Sequence, residues 1–257
     1  MSIFRHWIYM IRRHLRGLRR APFYIAFSLI QPAVWLLLFS QLMHKIVQLP
    51  QFGSNSYIDF VVPGIVMMTA CFSGGWNGLS MIMDLERGVM DRFLVSPVNR
   101  SALIAGPIIA LGAVTVIQSS ILIFLGLLMG ARYSHALVGL MIMLVGAVLL
   151  AAPFAALSNA MGLVLRKREA IIGAYNFFLL PLTFTSSVFM ARPLMPEWMQ
   201  TIARYNPINW GVSAAREALK SSPDWNFILF RFGLLIVLAV FTSWLATRTF
   251  HTYQRSA

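Results

Sequence analysis

Acidic side chains are scarce in this chain of 257 residues: eight Asp and Glu stand against 21 Lys and Arg, and charged residues of both signs make up only 11% of it. A soluble domain carries about 25% charged residues, so a water-covered globular surface is excluded. Cysteine occurs once, at Cys71. An intrachain disulfide, a zinc knuckle and a redox pair are therefore excluded. The residue lies inside an apolar run and reads as a small buried hydrophobe. No stretch fits the phosphate-cradling pattern G-x-x-x-x-G-K-[ST], so the chain is not expected to bind ATP by that device. No histidines or carboxylates stand at metal-ligand spacing and no acid–base constellation emerges, so no catalytic residue and no metal site is expected. The spans described below also read as lacking ionisable residues in their interiors. A proton-driven carrier normally needs an intramembrane relay of such groups. Sodium coupling through backbone carbonyls at broken helices stays open, but the simpler expectation is that energy arrives from a separate protein.

Long apolar runs are what the chain has instead. Hydrophobic residues make up 58% of it, and six runs are long enough to cross a bilayer: Phe23–Met43, Phe60–Met83, Ala102–Gly130, Leu137–Leu165, Ala170–Met190 and Phe227–Ala246. About 20 helical residues cross the roughly 30 Å hydrocarbon layer. None of the runs alternates apolar and polar residues as a barrel strand does. The expected fold class is an all-α membrane protein with six transmembrane helices in a single domain.

The formal net charge of +13 would suit a nucleic-acid binder, yet the basic residues sit before and between apolar runs rather than on a polar surface with aromatics interleaved. No nucleic-acid partner is expected; lipid headgroups and the positive-inside rule account for the pattern. Arg5, Arg12, Arg13, Arg16, Arg19 and Arg20 precede the first span, Arg87, Arg92 and Arg100 follow the second, and Arg166, Lys167 and Arg168 follow the fourth. With an even span count, both termini are expected in the cytoplasm. The last outer loop, with Arg192, Arg204, Arg216 and Lys220, runs against this bias; being long, it weighs less in setting orientation.

Two amphipathic stretches stand out. In Ser2–Arg20, Phe4, Trp7, Ile8, Ile11, Leu15 and Leu18 form one helical stripe with arginines around it, as a helix lying in the cytoplasmic membrane interface requires. In Asp84–Pro97, Leu85, Val89, Arg92, Phe93 and Ser96 form a strip, and Arg87 and Asp91 stand one helical turn apart. Such a helix, ended by Pro97, suits either docking of a partner or plain solvation.

Four stretches together carry a family likeness: the arginines and Arg20-Ala21-Pro22 leading to Gln31-Pro32; Tyr57-Ile-Asp-Phe-Val-Val-Pro-Gly64; Asp84–Arg100; and Phe189–Pro207 followed by Arg216. In order and spacing the chain resembles the type-2 ATP-binding-cassette (ABC) transporter permeases, most of all the daunorubicin-resistance-like drug export branch. The resemblance implies six helices, an N-terminal interfacial helix, and an outer re-entrant segment at about residues 194–205. It implies a coupling helix at about residues 84–97, with Asp84, Glu86, Arg87, Asp91 and Arg92, and a second contact at Arg166, Lys167, Arg168 and Glu169. It further implies two ATPase subunits that hold the ATP and Mg, a second permease copy, and a bacterial cytoplasmic membrane. Spans two and five would line the route. Their soft and aromatic residues are Met67, Met68, Phe72, Trp76 and Asn77 in the one, and Asn176, Phe177, Phe178, Thr183 and Phe184 in the other. These suit amphipathic substrates, and for any single one of them a lipid or helix neighbour is the plainer reading.

Gly74-x-x-x-Gly78 and Gly126-x-x-x-Gly130 allow close helix contact. The expected function is export of a hydrophobic drug or lipid-like molecule by a non-catalytic permease. The alternatives are polysaccharide or lipid-linked glycan export, an ion-coupled carrier, and a membrane assembly factor.

Overall fold

A computed structural model describes residues 22–49, 52, 54, 56–86, 100–133, 136–165 and 167–256. The expected interfacial helix at residues 2–20 lies outside them, as do Arg87, Asp91, Arg92 and Arg166. Eight α-helices and two short 3-10 turns account for the described secondary structure. They are α1 Pro22–Leu42, α2 Tyr57–Glu86, α3 Arg100–Leu128, α4 Ala136–Leu165, α5 Arg168–Phe184, α6 Glu197–Tyr205, α7 Pro207–Ala218 and α8 Trp225–Ser256; the turns are His44–Gln48 and Arg192–Leu194.

Five of them, α1, α2, α3, α4 and α8, are long and apolar enough to span a membrane. The fifth expected span is shorter than its apolar run suggested. Its helix α5 has 17 residues, about 25 Å of rise. Pro181 stands in its last turn, and the Thr185 hydroxyl bonds back to the Pro181 carbonyl at 2.7 Å. Residues up to Met190 then leave the helix in a turn. Apolar composition alone does not separate a span from a span end that folds into loop.

Burial sorts the helices into centre and periphery. The α2 span is 78% buried, whereas the spans of α1 and α8 are 22% and 17% buried. The outer two each bury a single stripe: Leu29, Pro32, Leu36 and Ser40 on α1, and Ile228, Leu235, Thr242 and Ala246 on α8. Their remaining faces are apolar and exposed, with Phe23, Phe27, Leu37 and Leu38 on α1 and Val237, Val240 and Trp244 on α8. That is a surface suited to lipid rather than water.

The α2–α4 pair is the most extensive helix contact, and glycine makes it so. A Cβ on Gly74 would lie 2.5 Å from the Ala151 carbonyl oxygen, and one on Gly78 2.3 Å from that of Ser158. The two backbones touch. The Ser158 hydroxyl is inserted in the seam, where it accepts the Gly78 N–H at 3.0 Å and donates to the Gly75 carbonyl. The second glycine pair divides its roles. Gly126 packs on Val62, while Gly130, at φ +97°, ends α3 in the left-handed conformation, and Ala131 N–H returns to the Gly126 carbonyl at 2.9 Å.

One expectation is corrected by the last span. Arg231 lies within its expected bounds, and α8 carries it two turns from its start. At 32 residues, or about 48 Å, α8 exceeds the hydrocarbon thickness, which leaves room for a charge at its rim.

Candidate functional site

The site is a cleft of about 140 Å³ between α1, α2, α3 and α5. Its walls are Phe27 and Trp35 of α1, Met68, Phe72 and Trp76 of α2, and Leu180, Thr183 and Phe184 of α5. Its polar content is concentrated in one chain of hydrogen bonds. Ser73 Oγ donates to Gln118 Oε1 at 2.6 Å, Gln118 Nε2 donates to Ser28 Oγ at 2.7 Å, and Ser28 Oγ donates to the Ile25 carbonyl at 2.8 Å. Gln118, on α3, is 2% exposed. Its amide thus joins α2 and α1 across the cleft, and a buried amide with both ends satisfied fixes one arrangement. Towards the Tyr57 end the cleft is shut by aromatics: Trp35 lies 6.0 Å from Phe184 and 5.2 Å from Phe189, and Phe39 stacks on Phe189 at 4.4 Å.

The residues singled out from the sequence fall into three groups. Met68, Phe72, Trp76, Thr183 and Phe184 line the cleft. Met67 is fully buried on the opposite face of α2, against Gly146 of α4 and Gly211 of α7, and Asn77 donates to Asn159 of α4 at 3.1 Å. Asn176 is half-buried, while Phe177 and Phe178 point outward, 74% and 59% exposed, with their rings edge to face at 5.4 Å. Sequence reasoning missed Trp35 and Gln118. Gln118 had a visible signal, an amide in the middle of an apolar run.

At the Glu86 end, two of the candidate coupling residues meet. Arg168, at the start of α5, forks onto the last residue of α2: Nε donates to Glu86 Oε1 at 3.1 Å and Nη2 to Oε2. The carboxylate raises the guanidinium pKa further through that hydrogen bond and its charge. Both side chains are about half exposed, at 49% and 48%, so solvent screens most of their attraction. Lys167 and Glu169 beside it are exposed. Asp84 belongs to the last turn of α2.

At the other end, α7 is stitched to the chain that leaves α5. The Asn206 side chain caps α7 by accepting from Ile208 N–H at 2.9 Å, and its amide donates to the Leu182 carbonyl at 2.6 Å. Arg216 completes the seam. Nε donates to the Phe60 carbonyl at 3.0 Å, Nη2 to the Val188 carbonyl at 3.1 Å and Nη1 to Ser187 Oγ at 3.2 Å; the guanidinium stands 3.5 Å above the Phe60 ring. Helix α6 falls within the stretch expected at residues 194–205. Helix α7 was not anticipated, although Asn206-Pro207 is a helix-start signature, a capping side chain followed by a residue pre-set for the first turn.

No group of three or more metal-ligating residues occurs among the described residues. The described residues thus form an all-helical membrane body with a cleft between its helices and no metal cluster, the class of an integral membrane protein. Comparison with known proteins agrees. The family described as ABC-2 type transporter matches residues 5–220. Over 211 residues the chain is 28% identical to the daunorubicin resistance ABC transporter permease protein DrrB1 of Streptomyces coeruleorubidus, covering 80% of this chain and 72% of that one. It is 31% identical over 225 residues to the putative transport permease ycf38 of Pyropia yezoensis, with 85% and 75% covered. With the inner membrane transport permease YadH of Escherichia coli the identity is 24% over 217 residues, covering 83% of each. The chain belongs to the ABC-2 type transporter family.

Proposed function

We infer that this permease exports a hydrophobic drug or lipid-like amphiphile across a bacterial cytoplasmic membrane, driven by ATP and Mg held on a separate ATPase subunit. The observation that carries the reading is the cleft. Its walls are aromatic and thioether, its central amide is bonded at both ends to Ser28 and Ser73, and it lies between helices whose outer faces are apolar. An amphiphile arriving from the bilayer needs such a wall. One chain's cleft is smaller than the roughly 300–1,000 Å³ of drug-sized pockets, so a second permease copy facing α2 and α5 would complete the route. The outward Phe177 and Phe178 supply a surface for that copy. The arginine bias puts the Glu86 end and both termini in the cytoplasm, where two ATPase subunits would meet the α2 end and Lys167–Glu169. The drug-resistance name of one relative supports this substrate class.

The test is co-purification with the ATPase encoded beside it, followed by hydrolysis assays over a panel of amphiphiles. Trp76→Ala and Phe184→Ala are expected to raise the half-stimulating concentration about tenfold each, roughly 1.4 kcal/mol of lost contact, with unstimulated hydrolysis unchanged. Stimulation by glycans alone, or transport by the permease in liposomes under an ion gradient without ATPase, would overturn the reading.

The Glu86–Arg168 fork gives a second expected result. Glu86→Ala should leave membrane insertion and melting temperature near those of wild type, because solvent screens an exposed pair, while lowering ATPase retention. The swap Glu86→Arg with Arg168→Glu rebuilds the pair inside the chain but inverts the charges shown to a partner. Retention restored by the swap would mean that the fork only supports the fold; retention still lost in the swap is the outcome expected of a docking surface.

A further inference from the structure

Three of the four cations that ran against the topology rule, Arg192, Arg216 and Lys220, gather at one place. Between α2, α7 and α8, at the Tyr57 end, lies a cavity of about 660 Å³. Arg132, Arg192, Arg216, Lys220 and Arg231 line it, against the carboxylates of Asp59 and Glu217. Two of these cations are already engaged: Arg216 holds its carbonyls, and Lys220 Nζ lies 2.7 Å from Glu217 Oε2. Arg192 and Arg231 have no ion-pair partner among the described residues, and Arg132 has only the more distant charge of Asp59. Asp59 is turned to a backbone, accepting the Arg132 N–H at 2.7 Å. Four buried polar side-chain atoms lack a hydrogen-bond partner among the described residues, and two of them, Tyr133 Oη and Arg231 Nε, belong to this cavity's lining.

Buried donors without partners are costly, and the guanidinium groups of Arg192 and Arg231 repel one another. Both costs fall if an anion sits among them. Guanidinium forks match the oxygens of a phosphate in pairs, and the Tyr133 hydroxyl is a further donor. The walls also carry Phe52, Phe60 and Phe227, and the Arg231 guanidinium stands 5.0 Å from the Phe227 ring centroid. A hydrated inorganic ion has no use for aromatic walls, and the volume is that of a site for an organic molecule.

We propose that this cavity is an anion site for the phosphate head of an amphiphile, with Arg231, Arg192 and Arg132 as the phosphate-binding residues and Tyr133 as a hydroxyl donor. The phosphate comes from a membrane phospholipid. The proposal goes beyond the transport reading, because binding belongs to this chain without its ATPase and in either orientation; its failure would leave that reading standing.

The experiment is lipid retention by the purified full-length chain, read by native mass spectrometry at low salt. The probes are phosphatidylglycerol, diacylglycerol and inorganic phosphate. Phosphatidylglycerol is expected to be retained and diacylglycerol not. Arg192→Gln combined with Arg231→Gln should weaken retention at least tenfold, Arg231→Lys should recover part of it, and Lys45→Gln, an exposed cation at the same end, should match wild type. A melting-temperature measurement separates lost binding from lost fold. Should the double variant not fold, the wild-type chain decides: added salt should release the lipid, because the attraction is screened. Equal retention in wild type and the double variant, equal retention of diacylglycerol, salt-insensitive retention, or binding of inorganic phosphate alone would each overturn the assignment.

Discussion

Replacing Gly78 by alanine is expected to be one of the most damaging single-methyl changes among the described residues. The added carbon would lie 2.3 Å from the Ser158 carbonyl oxygen, 2.4 Å from Ser158 Oγ and 2.7 Å from the Ser158 carbonyl carbon. Two of those atoms are backbone, so no rotamer change relieves the contact; α2 and α4 must separate. Separation also breaks the bond from Gly78 N–H to Ser158 Oγ. Overpacking of this kind costs about 1–3 kcal/mol, and the lost bond adds roughly 1 kcal/mol. The thermal midpoint of the purified permease should fall accordingly, with lower yield from the membrane. Gly173 is the control, since a Cβ there meets nothing within 4 Å. Gly173→Ala on α5 should be neutral or slightly stabilising, because alanine restricts the unfolded chain. If Gly78→Ala melts like Gly173→Ala, the close seam between α2 and α4 is wrong.

Removing Arg216 is expected to have an effect of similar size by a different route. Its guanidinium serves three acceptors, from the first turn of α2 and from the segment after α5, and covers the Phe60 ring. Arg216→Met keeps much of the aliphatic stem but leaves the Val188 carbonyl without that donor. Hydrogen bonds to a charged group contribute about 1.5–3 kcal/mol each and are not additive, so a loss of roughly 3 kcal/mol is expected. Arg216→Lys keeps the charge, yet a single ammonium cannot span acceptors set for a planar fork; about half the loss should remain. Limited proteolysis offers a local readout. Cleavage near Ser187–Ala191 should accelerate in Arg216→Met and far less in Gly78→Ala. Uniform destabilisation in both would argue against a local staple at this end of the molecule.

What could be read from the sequence, and what could not, divides along a physical line. Helix existence was legible wherever twenty or so apolar residues ran together, because a bilayer permits little else. Five such runs became spanning helices, with the α2 and α8 boundaries longer than expected because helices continue past the hydrocarbon. The fifth run gives a helix shorter than expected because Pro181 and Thr185 end it early, a local effect that hydropathy averages away. Within the spans, composition named Met67 and Met68 alike. Only the packing of Gly146 and Gly211 against Met67 separates the two, and that depends on contacts distant in sequence. Gln118 was isolated in its run and therefore readable; Trp35 was one aromatic among many. The cations of the last loop were visible as an anomaly of charge, but that Arg192, Arg216 and Lys220 line one cavity with Arg132 and Arg231 depends on contacts distant in sequence.

The marginal burial of α1 has a mechanical consequence. Lipid tails are as apolar as the side chains of the core, so a helix that leaves its neighbours inside a membrane loses packing but little hydrophobic free energy. The polar link holding α1 to the body at the cleft is the pair of bonds through Gln118 to Ser28 and Ser73. Within membranes such bonds contribute on average about 0.6 kcal/mol each. Helix α1 is thus fastened by an amide latch and a few aromatic contacts, a lighter attachment than the glycine seam that binds α2 to α4.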